Sequence, residues 1–136
     1  MEEINLICAA MEARQKAYAP YSDFLVGAAL LSESGKVYQG CNIENASYGA
    51  TNCAERTAVF RAVSEGETHF RAIAIVGGMR DKEPAYAYPC GICRQVLREF
   101  CDPDQMWVIV ARSETDYKKR KLSELLPESF GPDFAG

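Results

Sequence analysis

Three apolar runs, each about as long as a strand, constrain the fold of this chain more than any other feature. They are Phe24–Leu31, Phe70–Val76 and Met106–Ala111. The segments between them favour helices. Cys53–Glu65 is rich in Ala, Glu and Arg, and a proline precedes Cys90–Cys101 at a position that helix starts prefer. Strands that alternate with helices in this way are typical of an α/β fold.

Shorter segments complete the predicted architecture. Residues 3–17 form an amphipathic helix in which one face carries these side chains: Ile4, Ile7, Cys8 and Met11. Ser34-Gly35 turns the first apolar run into a hairpin. The remaining predicted elements are two strands and a last helical turn: Lys36–Ile43, Tyr117–Lys121 and Ser123–Leu126. We predict one domain over residues 1–136, a three-layer α/β/α fold with a central mixed five-stranded sheet, parallel outside the hairpin.

Charge and hydropathy exclude several classes of partner. The net charge is −4 and no stripe of Lys and Arg offsets it, which disfavours polymeric nucleic acid. The basic run Lys118–Lys121 follows an acidic stretch and is typical of a solvated face. The acidic start and the lack of an apolar stretch of about 20 residues argue against secretion and a membrane span. We therefore expect a cytoplasmic location, where cysteines bind metals or are simply buried.

The cysteine spacing indicates a metal site. Cys90 and Cys93 are three residues apart at a predicted helix start, a pattern shared by redox and zinc proteins. Cys53, at the start of another predicted helix, supplies a third thiol. Three protein ligands leave the fourth position of zinc to water, as catalytic sites require. His69 lies outside any ligand spacing, and the cysteines without a motif partner are expected to be small buried groups: Cys8, Cys41 and Cys101.

Two charged residues beside Cys53 complete the candidate site. Glu55 is suited to accept a proton from metal-bound water and deliver it elsewhere, although a first-turn acid can also simply favour the helix dipole. Three thiolates and Zn²⁺ sum to a charge of −1, which would hold the pKa of bound water too high. Arg56 is the candidate for the cation that offsets this charge.

Cys53-Ala54-Glu55 and Pro89-Cys90-Gly91-Ile92-Cys93 match the pattern His/Cys-x-Glu followed by Pro-Cys-x-x-Cys. At these residues the chain resembles the zinc-dependent nucleoside and nucleotide deaminases, and among them the small homotetrameric cytidine deaminases. Further segments are similar to the same subfamily: residues 18–22, 26–30, 40–45, 53–58 and 93–96.

The resemblance implies hydrolytic deamination of cytidine and deoxycytidine to uridine, deoxyuridine and ammonia, as in pyrimidine salvage. It implies one Zn²⁺ per subunit that activates water, Glu55 as the proton shuttle, and a homotetramer whose sites are shared between subunits. The resemblance also implies that Asn42 and Glu44 bind the ribose and that Phe24 packs against the nucleoside. The backbone of Ala54 would contact the pyrimidine. An aromatic side chain from a neighbouring subunit would cover the base, and the candidates are Phe130 and, as a rival, Phe134. Tyr48 is a further candidate for the pocket, or ordinary packing.

Three alternatives remain open at this point. A deaminase of a modified cytosine nucleoside such as blasticidin S shares the zinc motif, but the ribose pair of Asn42 and Glu44 argues against it. Polynucleotide editing lacks a basic channel to hold a strand. A non-enzymatic module stabilised by zinc would need the metal ligands but not Glu55 or the ribose pair.

Overall fold

The computed structural model describes residues 3–132, which form one twisted sheet with helices on both faces. The sheet has five strands in the order β2-β1-β3-β4-β5. Their bounds are β1 (Phe24–Ser32), β2 (Val37–Cys41), β3 (Phe70–Met79), β4 (Trp107–Ser113) and β5 (Asp116–Lys121). The predicted number of strands and the mixed sheet are therefore confirmed.

The strand directions correct one expectation. Within residues 3–132 only β3 and β4 pair in parallel, whereas β1 pairs antiparallel with both β2 and β3, and β4 pairs antiparallel with β5. The segment that contains α2 connects β2 to β3, and these two strands run in the same direction. Since β1 lies between them in the sheet and runs in the opposite direction, it is antiparallel to both. The connection from Ser113 to Asp116 is too short for anything but an antiparallel pair. The prediction that the strands outside the hairpin are parallel is confirmed for β3 and β4 and is wrong for β5.

The helices lie in two layers, which confirms the three-layer prediction. Helix α1 (Glu3–Arg14) covers one face, and α2 (Ala54–Ser64), α3 (Gly91–Arg98) and the short α4 (Leu122–Leu125) cover the other. The pleat of β1 alternates between the layers, with Leu30 in the core below α2 and Leu31 in the core below α1. A short 3₁₀ helix, Tyr48–Ala50, lies in the loop before α2. None of the helices in residues 3–132 has the length and apolar character needed to cross a membrane.

The buried face of α1 differs from the predicted one. The buried side chains are Leu6, Ile7, Ala10 and Ala13. Ile4 is 48% exposed, because the sheet approaches the opposite side of the helix. A Cβ on Gly27 of β1 would lie 2.1 Å from the carbonyl oxygen of Ala10, so glycine and alanine let the backbones of helix and strand pack closely. Small residues therefore define the interface between α1 and β1, and the apolar pattern of the sequence does not indicate them.

Two further predictions are corrected by local contacts. Helix α3 ends at Arg98 rather than residue 101, because the chain turns so that the carbonyl of Phe100 accepts a hydrogen bond from the Phe70 N–H at the start of β3. Strand β3 continues through Gly77 and Gly78 to Met79, since these residues pair with the first residues of β1. Of the unassigned cysteines, Cys8 is exposed rather than buried, whereas Cys41 and Cys101 are partly buried.

Candidate active site

The N-terminal ends of α2 and α3 meet at three sulfur atoms. Cys53 is the N-cap of α2, Cys90 is the N-cap of α3, and Cys93 lies in the first turn of α3. The Sγ of Cys90 lies 3.9 Å from the Sγ of Cys53 and 3.4 Å from the Sγ of Cys93, and all three sulfurs are within 4.8 Å of one another. The structure thus brings the three predicted ligands together.

The donor set fits zinc. A Zn–S bond of about 2.3 Å in a tetrahedral site places two sulfurs about 3.8 Å apart, which is close to the observed separations. A disulfide would need a separation of about 2.05 Å, and all three cysteines are free. Among residues 3–132 the cluster contains no fourth His, Cys, Asp or Glu ligand. Three thiolates with one place left for water is the composition of a catalytic site rather than a structural one.

The protonation of the cluster favours a cation. The pKa of Cys53 is lowered to about 5, first by a hydrogen bond with Cys93 and then by the guanidinium of Arg56. The same hydrogen bond and burial raise the pKa of Cys93. A metal ion that binds the sulfurs would displace the protons that they carry without it.

Arg56 lies where the charge argument predicts a cation. Its Nη2 donates a hydrogen bond to the Sγ of Cys53 at 3.2 Å. Its Nε is buried and has no hydrogen-bond partner within residues 3–132. The guanidinium is thus directed at the sulfur cluster through its hydrogen bond to Cys53.

Glu55 is buried in the first turn of α2, with only 5% of its surface exposed. Burial raises the pKa of this carboxyl to about 7, and the negative charge of Cys53 adds to the rise. A group with a pKa near neutrality can both accept and release a proton at physiological pH. This burial distinguishes Glu55 from a solvent-exposed first-turn acid that only complements the helix dipole.

The position of α2 depends on close backbone contacts. A Cβ on Gly40 of β2 would lie 2.4 Å from the N of Ala58 and 2.5 Å from the carbonyl oxygen of Ala54, so only glycine admits the helix at this distance. The Nδ2 of Asn52 donates to the Oγ1 of Thr57, which donates in turn to the carbonyl of Cys53. Strand β2 and this turn together set where Cys53 and Glu55 point.

The candidate ribose residues lie just beyond the end of β2. Asn42 is buried, and its side chain pairs with the backbone of β1: Oδ1 accepts from the Val26 N–H at 2.9 Å, and Nδ2 donates to the carbonyl of Phe24 at 2.8 Å. Glu44 is partly exposed and accepts hydrogen bonds from the N–H groups of Tyr21 and Ser22. Phe24, partly buried, is the first residue of β1.

Glu44 opens into a cavity of about 210 Å³, which we call the Glu44 cavity. It is lined by Tyr21, Ser22, Glu44, Tyr48 and Thr51. Tyr48 is 74% exposed and makes an edge contact with the ring of Tyr21 at a centroid distance of 5.8 Å. Tyr48 therefore lines the Glu44 cavity and does not pack in the core.

The remaining candidates are divided between α2 and the C-terminal segment. Ala54 is fully buried as the first residue of α2. Phe130 is 68% exposed, and its carbonyl accepts a hydrogen bond from Nε2 of Gln95 on α3. Its rival Phe134 lies outside the described residues.

Sequence reasoning assigned no role to Arg94, which follows the ligand Cys93. Its Nε donates to the carbonyl of Pro89 and its Nη1 donates to the carbonyl of Leu125, both at 2.7 Å. Arg94 thus ties the turn before Cys90 to the C-terminal segment. The signal was the similarity of residues 93–96 to the subfamily, but only the fold supplies the two carbonyls.

Comparisons with known proteins agree with this geometry. The family described as "Cytidine and deoxycytidylate deaminase zinc-binding region" matches residues 1–110. A cytidine deaminase from Sporosarcina psychrophila is 47% identical over 98% of this chain and 94% of its own length. One from Halalkalibacterium halodurans is 50% identical over 96% of this chain and 95% of its own length.

Solved structures show the same fold. The cytidine deaminase from Burkholderia pseudomallei superposes with a TM-score of 0.86 at 48% identity, covering 96% of this chain and 100% of that one. The cytidine deaminase from Mycobacterium tuberculosis gives a TM-score of 0.80 at 39% identity, covering 96% and 99%.

The chain belongs to the zinc-binding cytidine and deoxycytidylate deaminase family. Within that family, its similarity over nearly the full length is to cytidine deaminases. The predicted enzyme class, fold and zinc requirement are confirmed, and the cluster of Cys53, Cys90 and Cys93 is able to hold the ion.

Proposed function

We propose that the enzyme hydrolyses the 4-amino group of cytidine and deoxycytidine, releasing ammonia and the corresponding uridine or deoxyuridine. The observation that carries this proposal is the juxtaposition of three free cysteines with a buried carboxyl whose pKa is near 7. The relatives that match nearly the whole chain are cytidine deaminases.

Each residue of the centre has a distinct task in this reaction. Cys53, Cys90 and Cys93 would hold the zinc ion, which when bound would supply Lewis-acid activation of water. Glu55 accepts a proton from the attacking water and delivers protons to N3 of the pyrimidine and to the departing amino group. Arg56 compensates the negative charge of the thiolates.

The proposed substrate contacts are those that the resemblance to the cytidine deaminases implies, and the positions of the side chains are compatible with them. Glu44 and Asn42 bind the sugar hydroxyls, Phe24 packs against the nucleoside, and the backbone of Ala54 contacts the pyrimidine beside Glu55. Tyr48 lines the entrance. Polar contacts of this kind favour a sugar that carries the hydroxyl over one that lacks it.

The direct test is an absorbance assay on cytidine and deoxycytidine, with zinc quantified in the same sample. We expect turnover of both nucleosides and one zinc ion per chain. Turnover of blasticidin S alone would favour the antibiotic deaminase. A zinc-loaded chain that is inert toward every cytosine nucleoside would favour a module that zinc only stabilises.

The quaternary arrangement is a further part of the proposal. We propose a homotetramer in which Phe130 covers the base in a neighbouring subunit. The side chain of Phe130 is 68% exposed, so a neighbouring subunit can reach it. The cytoplasmic location and the single domain over residues 1–136 stay predictions.

Subunit mixing tests the shared site. Glu55→Gln and Phe130→Ala chains are co-expressed under separate tags, and the mixed tetramers are isolated. If Phe130 acts across the interface, mixed tetramers contain sites with both native residues and exceed the mean activity of the two parent variants. Activity equal to that mean would place Phe130 in its own subunit's site, and light scattering reports the number of chains.

A further inference from the structure

Glu44 is held by two adjacent residues of the loop before β1. The N–H groups of Tyr21 and Ser22 donate to its Oε1 at 2.9 and 3.1 Å, and the hydroxyl of Ser22 donates to its Oε2. Three donors from one short segment fix both the position and the rotation of the carboxylate.

The count of acceptor positions shows what is left for a ligand. A carboxylate offers about four lone-pair positions. Oε1 has two donors and Oε2 has one, so one position remains, and it is on the oxygen that Ser22 orients. The hydrogen bond from Ser22 also lowers the pKa of Glu44, which keeps the group ionised and able only to accept. Glu44 can therefore take one hydroxyl from a ligand in the Glu44 cavity.

Ser22 has a second contact that ties it to the strand. Its Oγ accepts a hydrogen bond from the Phe24 N–H at 3.0 Å. The residue between them, Asp23, has a positive φ of 62° and an ion pair with Arg80 at 2.6 Å. The residues on both sides of Ser22 are thus held by contacts with the rest of the chain. The hydroxyl of Ser22 therefore has a defined direction.

We propose that Ser22 is a positioning residue that aims the free lone pair of Glu44 at a sugar hydroxyl and thereby sets the selectivity of the enzyme for nucleosides that carry this group. The two proposed substrates, cytidine and deoxycytidine, differ at the 2′ position and share the 3′-hydroxyl, so the 3′-hydroxyl is the group assigned to Glu44. The inference rests on the proposed function, because it takes Glu44 as a sugar contact. Ser22 itself keeps its hydroxyl engaged with Glu44 and with the backbone of Phe24. Its effect on the substrate therefore acts through the carboxylate.

The test compares deoxycytidine with 2′,3′-dideoxycytidine, which differ only in the 3′-hydroxyl. For Ser22→Ala we expect about a tenfold lower kcat/KM with deoxycytidine, expressed mainly in KM, and a change below about twofold with the dideoxy substrate. Ser22→Thr retains the hydroxyl and should restore selectivity. Ser34→Ala is the matched control, since Ser34 also donates to a partly exposed glutamate, Glu67, far along the chain.

A purely structural role for Ser22 predicts equal losses with both substrates, and that result would overturn the inference. Glu44→Gln tests the sugar contact of Glu44 separately from the positioning role of Ser22. If Glu44→Gln abolishes the preference for the 3′-hydroxyl while Ser22→Ala leaves it intact, the inference is wrong and the sugar assignment of Glu44 stands. If Glu44→Gln leaves the preference intact, the sugar assignment fails and the inference fails with it.

Discussion

The sulfur cluster and the Glu44 cavity are built in opposite ways. The cluster lies at two helix starts, where caps and first turns orient Cys53, Cys90 and Cys93, and its carboxyl, Glu55, is buried. The Glu44 cavity is formed by loops, and its hydrogen bonds are open to solvent. Electrostatic interactions are strong in the first environment and screened in the second. Substitutions at the cluster should therefore abolish turnover, whereas substitutions at the Glu44 cavity should change the preference between nucleosides.

The largest effect is expected for Cys90→Ala. With two sulfurs remaining, the chain should fail to retain zinc, activity should fall on the order of 10⁴-fold, and the thermal midpoint should drop because metal binding stabilises the fold. Zinc per chain and thermal unfolding are measured together. Cys101→Ala, which removes a thiol outside the cluster, should keep its zinc. Stoichiometric zinc in Cys90→Ala would remove the cluster from the mechanism.

Glu55→Gln should separate metal binding from proton transfer. The variant should keep its zinc while kcat falls by about 10²- to 10⁴-fold, because the amide cannot carry a proton between water and base. Steady-state kinetics and zinc content are measured on the same preparation. Glu65→Gln, at the exposed C-terminal end of the same helix, is the control and should behave as the parent. Parental turnover in Glu55→Gln would contradict the proton role.

Arg56→Ala should have an intermediate effect. The loss of the guanidinium near Cys53 should weaken zinc binding by about 10- to 100-fold, as for other residues that support metal ligands. Competition with a chromogenic chelator gives the affinity. Arg61→Ala removes an exposed arginine from the same helix and should leave the affinity unchanged. Equal affinities for both variants would show that charge compensation at the cluster comes from elsewhere.

Asn42→Ala should give the smallest effect, and a different kind of effect. It removes two hydrogen bonds to β1, so the free energy of unfolding should fall by about 1–3 kcal/mol, with a higher KM for deoxycytidine. Urea unfolding and kinetics check the two parts. Asn5→Ala, on the exposed side of α1, is the control. An unchanged unfolding free energy would mean that Asn42 serves the ligand alone.

Some features could be predicted because their cause is local. The helices that start near Cys53 and Cys90 follow from composition and from the proline before Cys90, and the spacing of Cys90 and Cys93 places both on one helical face. The face of α1 was predicted wrongly because burial there depends on where the sheet approaches the helix: Gly27 of β1 lies against the backbone at Ala10, whereas Ile4 is 48% exposed. No periodicity within residues 3–17 carries that information.

The sequence alone identifies the reactive groups and the family of the chain. The groups are three thiols, one carboxyl and one guanidinium at two helix starts. Only the tertiary structure decided how these groups act on one another. The burial of Glu55 depends on what covers it, and the antiparallel pairing of β1 with β3 and the hydrogen bonds from Tyr21 and Ser22 to Glu44 join segments that are distant along the chain. Residue types and short spacings are written in the chain, whereas desolvation and long-range hydrogen bonds arise only when the layers pack.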